Sequence, residues 1–168
     1  SKLQLNIHLN LSVRDLQDEH LVSKVTTILN QYLPQVPQLT LEVTESAMMT
    51  NIEQVKNNME LIANLGLAFS IDDFGSGFSS LAQLRDLPVG QVKIDRSFIR
   101  NMSHNQADLA IVKSTIFLAH NLNCSVVAEG VEDKETESLL KELGCDYVQG
   151  YYYSKAQHIK DFVQYIQR

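Results

Sequence analysis

The sequence predicts an α/β fold: an incomplete (β/α)8 barrel of six parallel β/α units, two units short of a complete one. Three observations predict it. Strand-like and helix-like runs alternate six times along 168 residues, and strict alternation means parallel strands joined by crossover helices. Each strand carries an apolar stripe on one side and, near its C-terminal end, a polar residue on the other. Six units at about 28 residues each fall short of the roughly 250 residues of a complete eightfold barrel.

The elements follow in chain order. In the strand Leu3–Asn10, residues Leu3, Leu5, Ile7 and Leu9 share one face and Asn10 lies on the other. Leu21–Leu33 reads as a helix. In Gln38–Thr44, residues Leu39, Leu41 and Val43 oppose Glu42. Thr50-Asn51-Ile52-Glu53 reads as a capping box opening the helix Asn51–Leu65, and Gly66 supplies its left-handed C-terminal residue. In Ala68–Asp72, Phe69 and Ile71 oppose Asp72. In Gln91–Asp95, Val92 and Ile94 oppose Lys93 and Asp95. Arg96–Asn105 reads as a short turn plus loop. A helix spans Ala107–Leu122. In Ser125–Glu129, Val126 and Ala128 oppose Glu129. Asp133 caps the helix Lys134–Leu143, closed by Gly144. In Asp146–Gln149, Val148 opposes Gln149, and a helix over Ile159–Gln167 ends the chain.

This parity favours a barrel over an open doubly wound sheet. In a barrel the apolar stripes pack against a ring of helices, and the polar residues converge at the C-terminal mouth, where barrel enzymes keep their sites. No Gly-rich nucleotide fingerprint follows the first strand, which weakens the dinucleotide-binding version of the open sheet.

Composition narrows the function classes. The chain is 44% hydrophobic and 20% charged, with a net charge of −6, which is ordinary for one globular domain over residues 1–168. Lys and Arg form no basic run, so a nucleic-acid polymer is not an expected partner. No apolar run approaches membrane-spanning length. Cys124 and Cys145 lack Cys-x-x-Cys spacing and read as reduced thiols, which suits the cytoplasm. A membrane anchor elsewhere in a longer parent protein stays open.

The stretch Ile71-Asp72-Asp73-Phe74-Gly75-Ser76 places two adjacent carboxylates at the end of a buried strand. They repel and lose hydration, so a counter-charge is needed. Asn10, Glu42, Asp72 and Glu129 offer hard oxygen ligands and no thiolate, which suits Mg2+ or Mn2+ rather than zinc. At a strand end the backbone can turn, so one carboxylate of the pair can bind or bridge metals from the lumen and the other from the loop. Two such ions would clamp a phosphodiester for in-line attack. Lys93 then orients the nucleophile or stabilises charge on phosphate; a plain salt bridge to Asp95 or Glu129 fits it equally well. Metal-dependent enolate chemistry with Lys93 as base also fits the bare constellation. The five histidines show no ligand spacing, and the run Tyr151–Tyr153 reads as packing.

The motifs go further. "NLS" (Asn10–Ser12), "EVTES" (Glu42–Ser46), "IDDFGSGFSSL" (Ile71–Leu81), "VKIDRSFI" (Val92–Ile99), "VVAEGVE" (Val126–Glu132) and "GCDYVQGYYYSK" (Gly144–Lys155) occur in this order. Together they resemble the EAL domain of bacterial cyclic di-GMP phosphodiesterases. The resemblance implies a modified (β/α)8 barrel and metal-dependent hydrolysis of cyclic di-GMP to linear pGpG. It implies metal ligation by Asn10, Glu42, Asp72, Asp73 and Glu129, with Mg2+ or Mn2+ as cofactor, two ions in the complete domain. It implies that Lys93 positions the hydrolytic water, with Asp95 beside it, and that Gln149 supports the site. Glu45 would brace the loop that carries Gly75 and Ser76. It also implies upstream sensor or GGDEF-type domains in the parent protein. Two departures are visible. Lys155-Ala156 stands where the family has Lys-Pro, and the Glu-Ala-Leu signature with its following Arg, which the family carries on its second strand, is absent, so the resemblance implies that the first two strands are the missing ones. The expectation is therefore self-association as a homodimer or similar assembly, with weak or no turnover by this chain alone. The alternative is a non-catalytic module that binds cyclic di-GMP or a protein.

Overall fold

The computed structural model describes residues 5–32, 38–45, 51–75 and 81–166. Six strands form one parallel sheet: β1 (Asn6–Asn10), β2 (Gln38–Thr44), β3 (Ala68–Phe74), β4 (Gln91–Ile94), β5 (Ser125–Glu129) and β6 (Tyr147–Gln149). Their order is sequential, β1-β2-β3-β4-β5-β6. That order has no point of reversal, so the doubly wound alternative falls away, and the sheet is a half-barrel.

The helices are α1 (Val13–Leu16), α2 (Leu21–Tyr32), α3 (Ile52–Asn64), α4 (Leu81–Asp86), α5 (Arg96–Asn101), α6 (Gln106–Asn121), α7 (Lys134–Glu142) and α8 (Ile159–Tyr165). The core lies between the convex face of the sheet and these helices. Val43, Phe69, Ile71, Val92, Ile94, Val126 and Ala128 are completely buried from the strands. They meet Val55, Met59, Ile62, Ile99, Val112 and Leu140 from the helices, also completely buried. Each large apolar side chain so buried contributes about 1.5–3 kcal/mol. The alternate residues Thr40, Glu42, Ser70 and Lys93 are buried on the opposite, concave face.

Several end signals act as read. Asp133 accepts from the Thr136 N–H at 2.7 Å, and Gly66 and Gly144 take φ of 91° and 81°, a region costly for residues with a Cβ. Thr50, read as opening the box before α3, lies outside the described residues; Asn51 precedes α3 with φ of 51° and makes no capping bond from its side chain. Two expectations need correction. Arg96–Asn105 is not turn and loop. It opens with α5, because Asp95 leaves the strand and accepts from the Ser97 N–H at 2.8 Å. The apolar stripe of β1 does not pack against helices throughout: Ile7 and Leu9 are 46% and 54% exposed. Strand β1 is an edge strand, and no described element covers them. Leu3, Leu33, Ser46 and Gln167 also lie outside the described residues.

Sequence reading missed two short helices. Helix α1 starts at a reciprocal box: Ser12 accepts from the Asp15 N–H, and the Asp15 carboxylate accepts from the Ser12 N–H at 3.0 Å. Helix α4 is the other. Cys124 is buried, Cys145 partly so, and neither is bonded to the other. No helix among the described residues is long and apolar enough to cross a membrane.

Candidate active site at the C-terminal mouth of the sheet

Lys93 organises the site. It is 4% exposed, at the middle of β4 and on the concave face. Its Nζ lies 2.9 Å from Glu42 Oε1, 3.0 Å from Asp72 Oδ1 and 2.7 Å from Glu129 Oε1. The ammonium therefore joins β2, β3 and β5 through β4. Burial opposes its charge, but the contacts to Glu129, Glu42 and Asp72 outweigh burial and hold Lys93 well above the ordinary lysine value. Of the two salt bridges considered for Lys93, the one to Glu129 forms, and Glu42 and Asp72 join it.

The Asp72-Asp73 pair is resolved by a distortion of the backbone. Side chains alternate along a regular strand, so consecutive residues diverge. Here the β3–β4 register shifts between Ile71 and Phe74, and Asp73 adopts φ of 55°. Irregularities of this kind re-aim side chains beside sites. The result brings ligand oxygens of Asp72, Asp73 and Glu129 within 4.8 Å of one another. Burial pushes the Asp73 carboxyl up, and the Asp72 charge and a hydrogen bond with Asp95 push it further. Burial acts the same way on Asp95, but its bonds from Ser97 prevail and hold it below the usual carboxylate range.

The remaining residues lie at the ends of strands in the same sheet. Asn10 ends β1 in register with Glu42. Gln149 ends β6 in register with Glu129. Glu45 is 5% exposed, and its Oε2 accepts from the Gly75 N–H at 3.1 Å. Ser76 lies outside the described residues. Sequence reading missed His8, whose Nδ1 is 2.8 Å from Glu42 Oε1. The available signal was its parity, which it shares with Asn10. It also missed a cavity of about 210 Å3 beside Glu129 and Gln149, to which Arg96, Arg100, Glu132 and Tyr151 contribute.

The donor set fits a hard divalent cation. Glu42, Asp72, Asp73 and Glu129 bring four carboxylates against the one ammonium of Lys93. Asp72 Oδ1 is buried, and no hydrogen-bond donor among the described residues is aligned with it, although Lys93 Nζ is near. An oxygen-only cluster with excess negative charge suits a hard divalent cation.

A family model described as EAL domain matches residues 2–156. The chain belongs to the EAL domain family. Cyclic di-GMP phosphodiesterase NbdA of Pseudomonas aeruginosa is 42% identical over 152 residues, covering 90% of this chain and 19% of NbdA. Signaling protein YkoW of Bacillus subtilis is 38% identical over 162 residues, covering 96% of this chain and 20% of YkoW. The solved structure of the PaMucR phosphodiesterase in its c-di-GMP complex matches with a TM-score of 0.86 at 36% identity, over 94% of this chain and 64% of that one. This EAL chain thus spans about a fifth of the length of these curated relatives. The sequential half-barrel of the chain agrees with the EAL structures it resembles.

Proposed function

We propose that this EAL chain provides the metal-binding and catalytic carboxylates of a cyclic di-GMP phosphodiesterase that yields linear pGpG. The observation that carries the proposal is the gathering of Glu42, Asp72 and Glu129 about Lys93, with Asp73 drawn in beside Asp72 and Glu129, at one end of a parallel sheet. Asp72, Asp73 and Glu129 would hold the divalent cation, with Asn10 and Glu42 as further ligands and room for a second ion in a complete domain. The cation supplies Lewis-acid stabilisation of the phosphodiester.

The chain's own residues supply the rest. Hydrolysis adds a water oxygen to phosphorus and breaks one P–O ester bond. One water proton leaves for a carboxylate, and the departing sugar oxygen gains a proton. In this reading Glu129 takes the first, and Lys93 holds the water and the developing phosphate charge. Three carboxylates keep Lys93 protonated, so it serves as a cation and donor. That disfavours enolate chemistry, in which the lysine must act as a neutral base. Asp95 holds Asp73 from behind, Gln149 flanks Glu129, and Glu45 braces the turn at Gly75 that leads to Ser76.

We infer self-association as well, supported by the exposed Ile7 and Leu9 on an edge strand. Cytoplasmic placement is supported by the two unbonded cysteines. Upstream sensor or GGDEF-type domains are supported by the short share of its relatives that the chain covers.

The test is a chromatographic assay of cyclic di-GMP incubated with the natural protein carrying this chain, with Mn2+ and with EDTA. Formation of pGpG with Mn2+, and its loss in Glu129→Gln, is the expected result. Tight binding of cyclic di-GMP with no product in either condition would replace the hydrolase by a binding module.

A further inference from the structure

We propose that His8 is a positioning residue for Glu42. It grips one oxygen of that carboxylate from β1 while Lys93 grips the same oxygen from β4. The inference rests on the metal-site reading of the carboxylates given above.

The register makes the contact informative. His8 pairs with Thr40 across the β1–β2 ladder. Its ring nevertheless reaches Glu42, two residues further along the same face of β2, at 2.8 Å from Nδ1 to Oε1. Lys93 Nζ approaches the same Oε1 at 2.9 Å. Lys93 also serves Asp72 and Glu129, so it cannot by itself fix the rotamer of Glu42. His8 serves Glu42 alone among these acids, and it comes from the opposite flank. Two donors on Oε1 fix the carboxylate and leave Oε2 for another centre. Glu42 is 8% exposed, so water is a poor substitute for the imidazole. An ionised carboxylate only accepts hydrogen bonds, so the proton of this contact resides on Nδ1 of His8.

Two measurements on the chain test this. Long-range proton–nitrogen correlation spectra of histidine-labelled protein read the His8 tautomer directly. Nδ1 carrying the proton is expected; an unprotonated Nδ1 with the proton on Nε2 overturns the proposal. Mn2+ titration followed by electron paramagnetic resonance then compares His8→Leu, which removes the donor, with His8→Asn, whose amide N–H can replace Nδ1–H. Loss of a partner that orients a ligand weakens metal binding by about 10–100-fold. His8→Leu should fall at least about tenfold, and His8→Asn should stay within about threefold of the native protein. Native Mn2+ binding with His8→Leu unchanged overturns this inference alone. Absence of Mn2+ binding by the native chain overturns the metal-site reading and this inference with it. Should His8→Leu fail to fold, the tautomer and His8→Asn decide, and a tenfold loss in His8→Asn contradicts the donor role.

Discussion

Replacing Lys93 by Met tests how the charged centre is held. The substitution keeps the length of the apolar stem and removes the ammonium from three carboxylates at 2.9, 3.0 and 2.7 Å. At an effective dielectric of about 20, one such pair near 3 Å amounts to about 5–6 kcal/mol before desolvation is counted. Burying the ammonium offsets much of the sum, and removing one partner of a buried pair costs about 3–5 kcal/mol net. We expect that loss for Lys93→Met in EDTA, seen as a fall in melting temperature of about 6–20 °C. Mn2+ at about 100 times its Kd returns about 2.7 kcal/mol. Its gain should be larger in Lys93→Met than in the native chain, where the cation competes with the ammonium. Thermal and urea unfolding with EDTA and with Mn2+ provide the assay. A variant within about 0.5 kcal/mol of the native chain in EDTA would refute the reasoning.

Three further outcomes follow from the same geometry. Burial pushes Asp146 up, but the hydrogen bonds from His120 and the Val126 N–H, each 2.8 Å, prevail and hold it below the usual carboxylate range. Its stabilisation is thus present above about pH 3.9 and lost as pH falls through its folded value; Asp146→Asn should be less stable at neutral pH and converge with the native chain in acid, as urea melts across pH will show. Burial pushes the Cys145 thiol up to about 11 and raises Cys124 as well, so both should react with a disulfide reagent at pH 8 more than about tenfold slower in the folded chain than in urea. Glu45→Gln weakens the acceptor of the Gly75 N–H, and hydrogen exchange at that amide should speed up while exchange in β4 stays unchanged.

Much of the architecture is legible in the sequence because strand period and burial coincide. Gln38–Thr44 and Ser125–Glu129 match their predicted bounds, since apolar residues on the convex face leave one register open. The site is legible for the same reason: Glu42, Lys93 and Glu129 occupy the opposite parity and meet. Asp73 is different. Parity sends it away from Asp72; that a strand end can turn is legible, but the slipped ladder and positive φ that return it are not encoded in the periodicity. Helix α5 was hidden because Asp95 reads equally as a strand end or as a cap. Exposure of Ile7 and Leu9 was hidden because alternation gives the apolar face of a strand without giving what covers it.

The irregular end of β3 sets a limit on engineering this protein. A well-formed ladder there would pair more residues and relax the backbone at Asp73, and it would turn one acid out toward the helices. Consensus smoothing of that strand should therefore raise the melting point while dismantling the cation cradle, so thermal tolerance is a misleading guide for selecting working variants.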